Sequence, residues 1–297
     1  MLMVLGIALH TNAQEIVQMN QGAIVNDNVD VVKRYRSERG LVILKLRIGK
    51  KRYRFLLDTG APTVVSSRLQ SRLRFEQLGT ARVFDAFGRS DSAAVVRVRG
   101  MAIDALQLEG VPALVWDSNN PVFEVLGVDG ILGSNALRDL AITISSRSKT
   151  VHFSNQQLPI AAGYQSPMRT DLDGQSTPAI PVRFGDRAPE LVLFDSGFEG
   201  LCDLSQATSK SVTTSYGVVV RVVRDGAGFF GLNGDAPASS GILLQKVQLG
   251  GYMMSSVAAS VSGDSRSKIG AELLERGEVT LDYKRGVFGF RPYTPAP

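Results

Sequence analysis

The chain has 297 residues, 44% hydrophobic and 21% charged, a balance that supports a buried core and excludes a disordered or fibrous polymer. Lysine and arginine number 33 against 28 acidic residues, and a net charge of +5 over this length does not demand nucleic acid as a partner. One cysteine, Cys202, and two histidines, His10 and His152, exclude an intramolecular disulfide and a zinc site of the usual Cys/His kind. Catalysis would therefore rest on carboxylates, hydroxyls and backbone.

Residues 2–9 form a short apolar run followed by Thr11, Asn12, Ala13 and Gln14, the pattern of a signal-peptidase site. A leader over 1–13 is expected, which points to a periplasmic or secreted protein and would leave a single histidine in a mature chain of 297 − 13 = 284 residues. No Lys or Arg precedes the run, and a buried N-terminal strand is the alternative reading. The run is too short to span a bilayer, and no other stretch is long and apolar enough. Residues 14–39 are open to three readings: a pro-segment, an edge strand or a loose tail.

From residue 40 onward the chain repeats itself. Residues 41–48 read as a strand ending at the turn glycine Gly49, and residues 53–57 lead from there into Asp58-Thr59-Gly60. Residues 180–184 end likewise at Gly185, and the apolar run 191–194 leads into Asp195-Ser196-Gly197. Further on, Ile131-Leu132-Gly133 and Lys268-Ile269-Gly270 each precede a short helix and two strand-like segments. The aspartates are 195 − 58 = 137 positions apart and the later glycines 270 − 133 = 137, so two copies of one β-rich unit are expected. These copies span 40–155 and 176–297, with a linker over 156–175 marked by Pro159, Gly163, Pro167 and Gly174. Only the short segments after Gly133 and Gly270 read as helices.

Each copy should also contain a hairpin. Residues 81–87 and 92–98 flank Gly88 in the first, and residues 218–223 stop at the turn pair Asp225-Gly226 in the second.

Two carboxylates on matching turns suit a water-activating hydrolase. Brought face to face, Asp58 and Asp195 could not both ionise, so one would hold a proton while the other accepted one from water. The hydroxyls of Thr59 and Ser196 suit hydrogen bonds across to the other copy, and Gly60 and Gly197 permit tight turns and close backbone approach. Gly133 and Gly270 would let another strand pass directly beneath each turn.

These residues give the chain a resemblance to the retropepsin-like and pepsin-like aspartic proteases, as a bilobal bacterial member with two retroviral-protease-like halves. Asp58-Thr59-Gly60-Ala61-Pro62-Thr63 and Asp129-Gly130-Ile131-Leu132-Gly133 carry it most closely, and it runs from about Leu41 to Phe290. The resemblance implies a mainly β, bilobal acid-protease fold with two barrel-like lobes, each with one short helix. It implies an aspartic endopeptidase in which Asp58 and Asp195 are catalytic and Thr59 and Ser196 link the turns. Phe87, Gly88, Asp225 and Gly226 would lie at the flaps over an extended peptide substrate. No cofactor, metal, nucleic acid or membrane span is implied, and a monomer is expected. Two residues depart from the family pattern: Phe198 follows Asp195-Ser196-Gly197 where a small residue is usual, and Lys268 replaces an apolar residue before Ile269-Gly270. They motivate one alternative, a silent peptide-binding protein of the same fold; a homodimer that uses only the first-copy aspartate is a second.

Other motifs read as structural. Gly226-Ala227-Gly228-Phe229-Phe230-Gly231 fits a dinucleotide fingerprint, but the residues after it cannot open a helix to receive a phosphate. Gly263-Asp264-Ser265 reads as a surface turn. Arg47, Lys50, Lys51, Arg52 and Arg54 alternate with Tyr53 and Phe55 as the solvated face of a hairpin. Cys202 reads as a buried free thiol, His152 as a structural residue at a strand end, and Trp116, Met253 and Met254 as core or lobe-packing residues.

Overall fold

Strands 41–48 and 51–58 form the hairpin expected from their alternation, with Lys45 and Arg47 exposed while Leu44, Leu46 and Ile48 are buried. The computed structural model describes residues 19–84, 90–156, 163–216, 230–231, 234–235, 240–261 and 266–293. The expected leader over 1–13, the flap candidates Phe87, Gly88, Asp225 and Gly226, and the Gly263-Asp264-Ser265 turn lie outside the described residues.

Three sheets organise what is described. The first lobe is built on an eleven-stranded sheet in which Leu41–Ile48, Lys51–Asp58, Gly130–Gly133 and Val64–Ser66 are successive neighbours. The second is a closed barrel of six strands, with Glu190–Asp195, Lys268–Gly270 and Cys202–Leu204 adjacent in it. A six-stranded sheet joins the lobes through Ala141–Ser145 and Gly277–Asp282, which pair antiparallel at its centre. In this pairing Thr143 faces Thr280, and their hydroxyls hydrogen-bond at 2.8 Å across a sequence separation of 137. The pseudo-twofold relation between the copies therefore passes between these two threonines. The core, which includes Phe55, Phe153, Phe194 and Phe288, is continuous through both lobes and the shared sheet.

The segments around the copies are more ordered than composition suggests. Asp30–Arg34 adds to the joining sheet beside Thr150–Ser154, and Ala23–Ile24 adds to the first-lobe sheet beside Leu106–Glu109, so the described part of 14–39 supplies edge strands. The expected linker over 156–175 contains a strand, Tyr164–Pro167, paired with Val287–Pro292 at the far edge of the joining sheet. Tyr164 also packs on Tyr252 of the second lobe, which gives this Pro- and Gly-containing stretch a partner that composition could not reveal. The copies are thus not divided at a free linker; each contributes strands to one common sheet.

One short helix per lobe also proves too few. Ser134–Leu137 and Leu273–Arg276 follow the two glycines as expected, but Ser67–Leu73, Pro121–Leu126 and Gln206–Tyr216 are helices as well. Their caps were readable: Ser66 accepts from Leu69 N–H, Asn120 from Val122 N–H ahead of Pro121 at the first helical position, and Ser205 from Thr208 N–H. Met253 is a further correction. Strand alternation turns it outward, at 39% exposed, while Met254 beside it is buried.

The expected passage of a strand beneath each turn is present. Gly133 lies so close to the turn above it that an added Cβ would stand 2.1 Å from the Pro62 carbonyl carbon, and at Gly270 it would stand 2.3 Å from the Gly200 oxygen. Both neighbours are backbone and cannot yield as a flexible side chain would. Gly133→Ala should therefore cost about 3 kcal/mol of unfolding free energy, the upper end for overpacking, read as a lowered midpoint in urea denaturation.

Candidate active site

Apolar strands deliver both aspartates. Phe55, Leu56 and Leu57 precede Asp58, and Val192, Leu193 and Phe194 precede Asp195, all of them buried, and the carboxyls themselves are closed to solvent. Each strand is held from one side by the parallel strand that ends in the later glycine, which places Gly133 opposite Asp58 and Gly270 opposite Asp195.

The two turns exchange four hydrogen bonds. Thr59 N–H donates to Ser196 Oγ at 3.0 Å and Ser196 N–H donates to Thr59 Oγ1 at 3.0 Å. Each hydroxyl donates a hydrogen bond to the strand behind the opposite turn, Thr59 Oγ1 to the Phe194 carbonyl at 2.7 Å and Ser196 Oγ to the Leu57 carbonyl at 2.9 Å. Both hydroxyls thus donate and accept, and the lobes are locked at the residues next to the aspartates.

Within each turn the glycine N–H donates to its own aspartate, Gly60 to Asp58 Oδ1 at 2.9 Å and Gly197 to Asp195 Oδ1 at 3.0 Å. Each glycine also lies against the other lobe's carboxyl. An added Cβ on Gly60 would fall 2.4 Å from Asp195 Cγ, and one on Gly197 would fall 2.3 Å from Asp58 Cγ. Asp58, Thr59, Gly60, Asp195, Ser196 and Gly197 are therefore gathered at one place. Burial pushes the Asp58 carboxyl well above its ordinary range, with the Asp195 charge and a hydrogen bond to Asp195 acting in the same direction; the Gly60 N–H and the Lys268 charge oppose them.

Phe198 does not disturb this symmetry. Ala271 N–H donates to the Phe198 carbonyl at 2.7 Å, as Ser134 N–H donates to the Ala61 carbonyl at 3.0 Å in the first lobe. The ring is 1% exposed and lies against Gly200 and Gly270. Three other expectations have plain outcomes: Cys202 is buried, His152 pairs with Asp30 of the edge strand, and the basic hairpin face is solvated at Arg47, Lys50, Lys51 and Arg52, whereas Arg54 is half-buried and donates to the Leu126 carbonyl.

Several positioning residues escaped the sequence. Ser134 Oγ donates to the Thr59 carbonyl at 2.7 Å and bonds Tyr283 Oη at 3.0 Å, so the second-lobe phenol donates through Ser134 to the first-lobe turn. Burial raises the Tyr283 phenol and keeps it a neutral donor. Asn135 Oδ1 accepts from Thr63 N–H at 2.7 Å and Thr63 Oγ1 at 2.8 Å, while its Nδ2 donates to the Met19 and Pro112 carbonyls. The Ser134-Asn135 pair after Gly133 was the available signal, but nothing in the chain marked Tyr283 as its partner. Among the described residues no group of three His, Cys, Asp or Glu side chains is gathered as a metal centre would need.

A carboxyl raised in the native state binds its proton more tightly there than in the unfolded chain. Stability from Asp58 is thus full below the ordinary value of 3.8 and is lost as pH rises through the raised native value. Asp58→Asn, neutral throughout, should unfold at higher urea concentration than the parent at neutral pH, with the gap closing on acidification below 3.8.

Residues 44–136 match the family model described as aspartyl protease. No curated protein matches the chain in sequence. The fold is similar to the crystal structure of the aspartic proteinase from Irpex lacteus, with a TM-score of 0.55 at 13% sequence identity, covering 89% of this chain and 97% of that one. The family match spans the first Asp-Thr-Gly turn, and the shared fold extends over most of the chain.

Proposed function

We propose that the chain is an aspartic endopeptidase in which Asp58 and Asp195 act as one unit. The observation that carries this is reciprocal: two carboxyls closed to solvent, each lying against the glycine of the other turn, joined by hydrogen bonds between Thr59 and Ser196. Like charges so placed favour a state with one shared proton. The ionised member takes a proton from water as its oxygen attacks the peptide carbonyl carbon, and the protonated member gives its proton to the carbonyl oxygen. The tetrahedral diol then collapses: the carboxyl that took the proton from water gives it to the amine nitrogen as the C–N bond breaks, and the other carboxylate takes a proton from a diol hydroxyl, which restores the pair with one proton. The pair titrates together, and neither aspartate is assigned the proton.

An extended peptide is the expected substrate, bound by strand-like hydrogen bonds in the cleft between the lobes. The paired strands Glu76–Phe84 and Ser90–Val98 support this reading, since they form the body of a first-lobe hairpin. A single chain brings both aspartates together, which favours a monomeric enzyme over a homodimer that uses Asp58 twice.

Asp58→Asn and Asp195→Asn should each lower kcat/KM on a diverse peptide library by about 10²–10⁴-fold, with a bell-shaped pH profile in the parent and a monomer mass in solution. A fully active Asp195→Asn variant in a dimeric protein would favour the one-aspartate reading. Tight binding of a statine peptide without turnover in the parent would favour a silent binding protein.

A further inference from the structure

The copies differ at one buried position that peptide hydrolysis, as read above, does not use. In the first lobe Ile131 sits in the sheet between Leu56 and Val64, all three of them fully buried. Its counterpart in the second lobe is Lys268, which sits between Leu193 and Asp203. Lys268 is 1% exposed and Asp203 is closed to solvent. An oppositely charged pair thus stands where the first lobe has isoleucine and valine.

Strand alternation fixes which way these side chains face. Register partners share a face of the sheet, so Lys268, Leu193 and Asp203 point the same way, and Asp195, two residues beyond Leu193, joins them. Glu190 and Cys202 fall on the opposite face, where Glu190 Oε1 accepts from Thr208 at 2.7 Å and Ser267 at 3.3 Å. Asp203 accepts from Ser260 Oγ at 2.6 Å. Asp58 enters from the other lobe against Gly197, and the Lys268 charge favours its ionised form. Tyr283, near Asp58, is neutral. Lysine therefore faces three acids: Asp203, its direct neighbour across the ladder, and the two members of the aspartate pair.

Burial of opposite charges where apolar packing serves in the other lobe is not a source of stability. We propose that Lys268, seated beside Asp203 below the second aspartate turn, is a positioning residue whose fixed positive charge holds the Asp58–Asp195 pair in its singly ionised form. This rests on the paired-aspartate reading. Burial opposes the loss of the first proton from the pair, and a cation on their face of the sheet offsets that opposition, so that the base form persists to lower pH. It also makes the pair asymmetric in its surroundings, because the first lobe offers only Ile131 at the matching place.

The experiment is a carbon-13 titration of the aspartate carboxyls, read beside the pH profile of kcat/KM on peptide. Lys268→Met alone leaves Asp203 buried without its counter-charge and can unfold the lobe. The double variant Lys268→Ile with Asp203→Val rebuilds the first-lobe arrangement in the second and keeps both positions apolar. In the folded double variant the ionisation of the pair and the acid limb of the profile should move to higher pH, with a several-fold loss of kcat/KM below the limb and a retained plateau. Lys268→Arg, which keeps the charge, should retain the parent titration. An unshifted titration of the pair in the folded double variant overturns the proposal. If the parent titrates as a coupled pair but cleaves no peptide, the hydrolase reading fails, and the carboxyl titration still decides the role of Lys268.

Discussion

Two carboxyls that repel one another are buried between two turns, and the exchange of hydrogen bonds between Thr59 and Ser196 keeps them there. Removing carboxyls from water is costly, and setting a second acid beside the first adds to the cost. Glycine N–H groups answer part of it at one oxygen of each carboxyl. The remainder is carried by the surroundings, where the strands beneath the turns and the sheet that joins the lobes fix the backbone. Relaxed turns would let the carboxyls separate and hydrate, so the site depends on rigidity that extends well beyond it.

That rigidity is distributed with near-twofold symmetry. The Thr143–Thr280 and Thr59–Ser196 contacts both join residues 137 apart, so the relation between the copies runs through the joining sheet and the site alike. Its exceptions are local. Ser134 ties the first turn to Tyr283, whereas Ala271 at the matching place has no hydroxyl to offer. Phe198 stands for Ala61 yet keeps the same backbone hydrogen bond, its ring filling space over Gly270. Lys268 and Asp203 bring charge where the first lobe has Ile131 and Val64. The turns retain their geometry while the electrostatics around them diverge.

The repeat was legible because glycine and aspartate are constrained by chemistry rather than by surface. Gly133 and Gly270 tolerate no Cβ against the backbone above them, and the short Asp-Thr-Gly and Asp-Ser-Gly runs leave little room for drift. The solvated basic hairpin and the buried thiol of Cys202 followed from alternation and composition. The extra helices were legible in principle from the Ser66, Asn120 and Ser205 caps, but their brief apolar patterns look like strands or loops without a tertiary partner. Tyr164–Pro167 looked like linker because its pairing edge lies more than a hundred residues away.

By itself the sequence determined the two-copy plan and the matching Asp-Thr-Gly and Asp-Ser-Gly turns, since each is set by local backbone chemistry that recurs at a constant interval. Only the tertiary structure decided that both carboxyls meet, that the Phe198 ring lies against Gly200 and Gly270, that Tyr283 reaches the first turn and that Lys268 and Asp203 are neighbours across the ladder. Those are contacts between segments remote in the chain, fixed by strand register and by what the packed sheets leave room for.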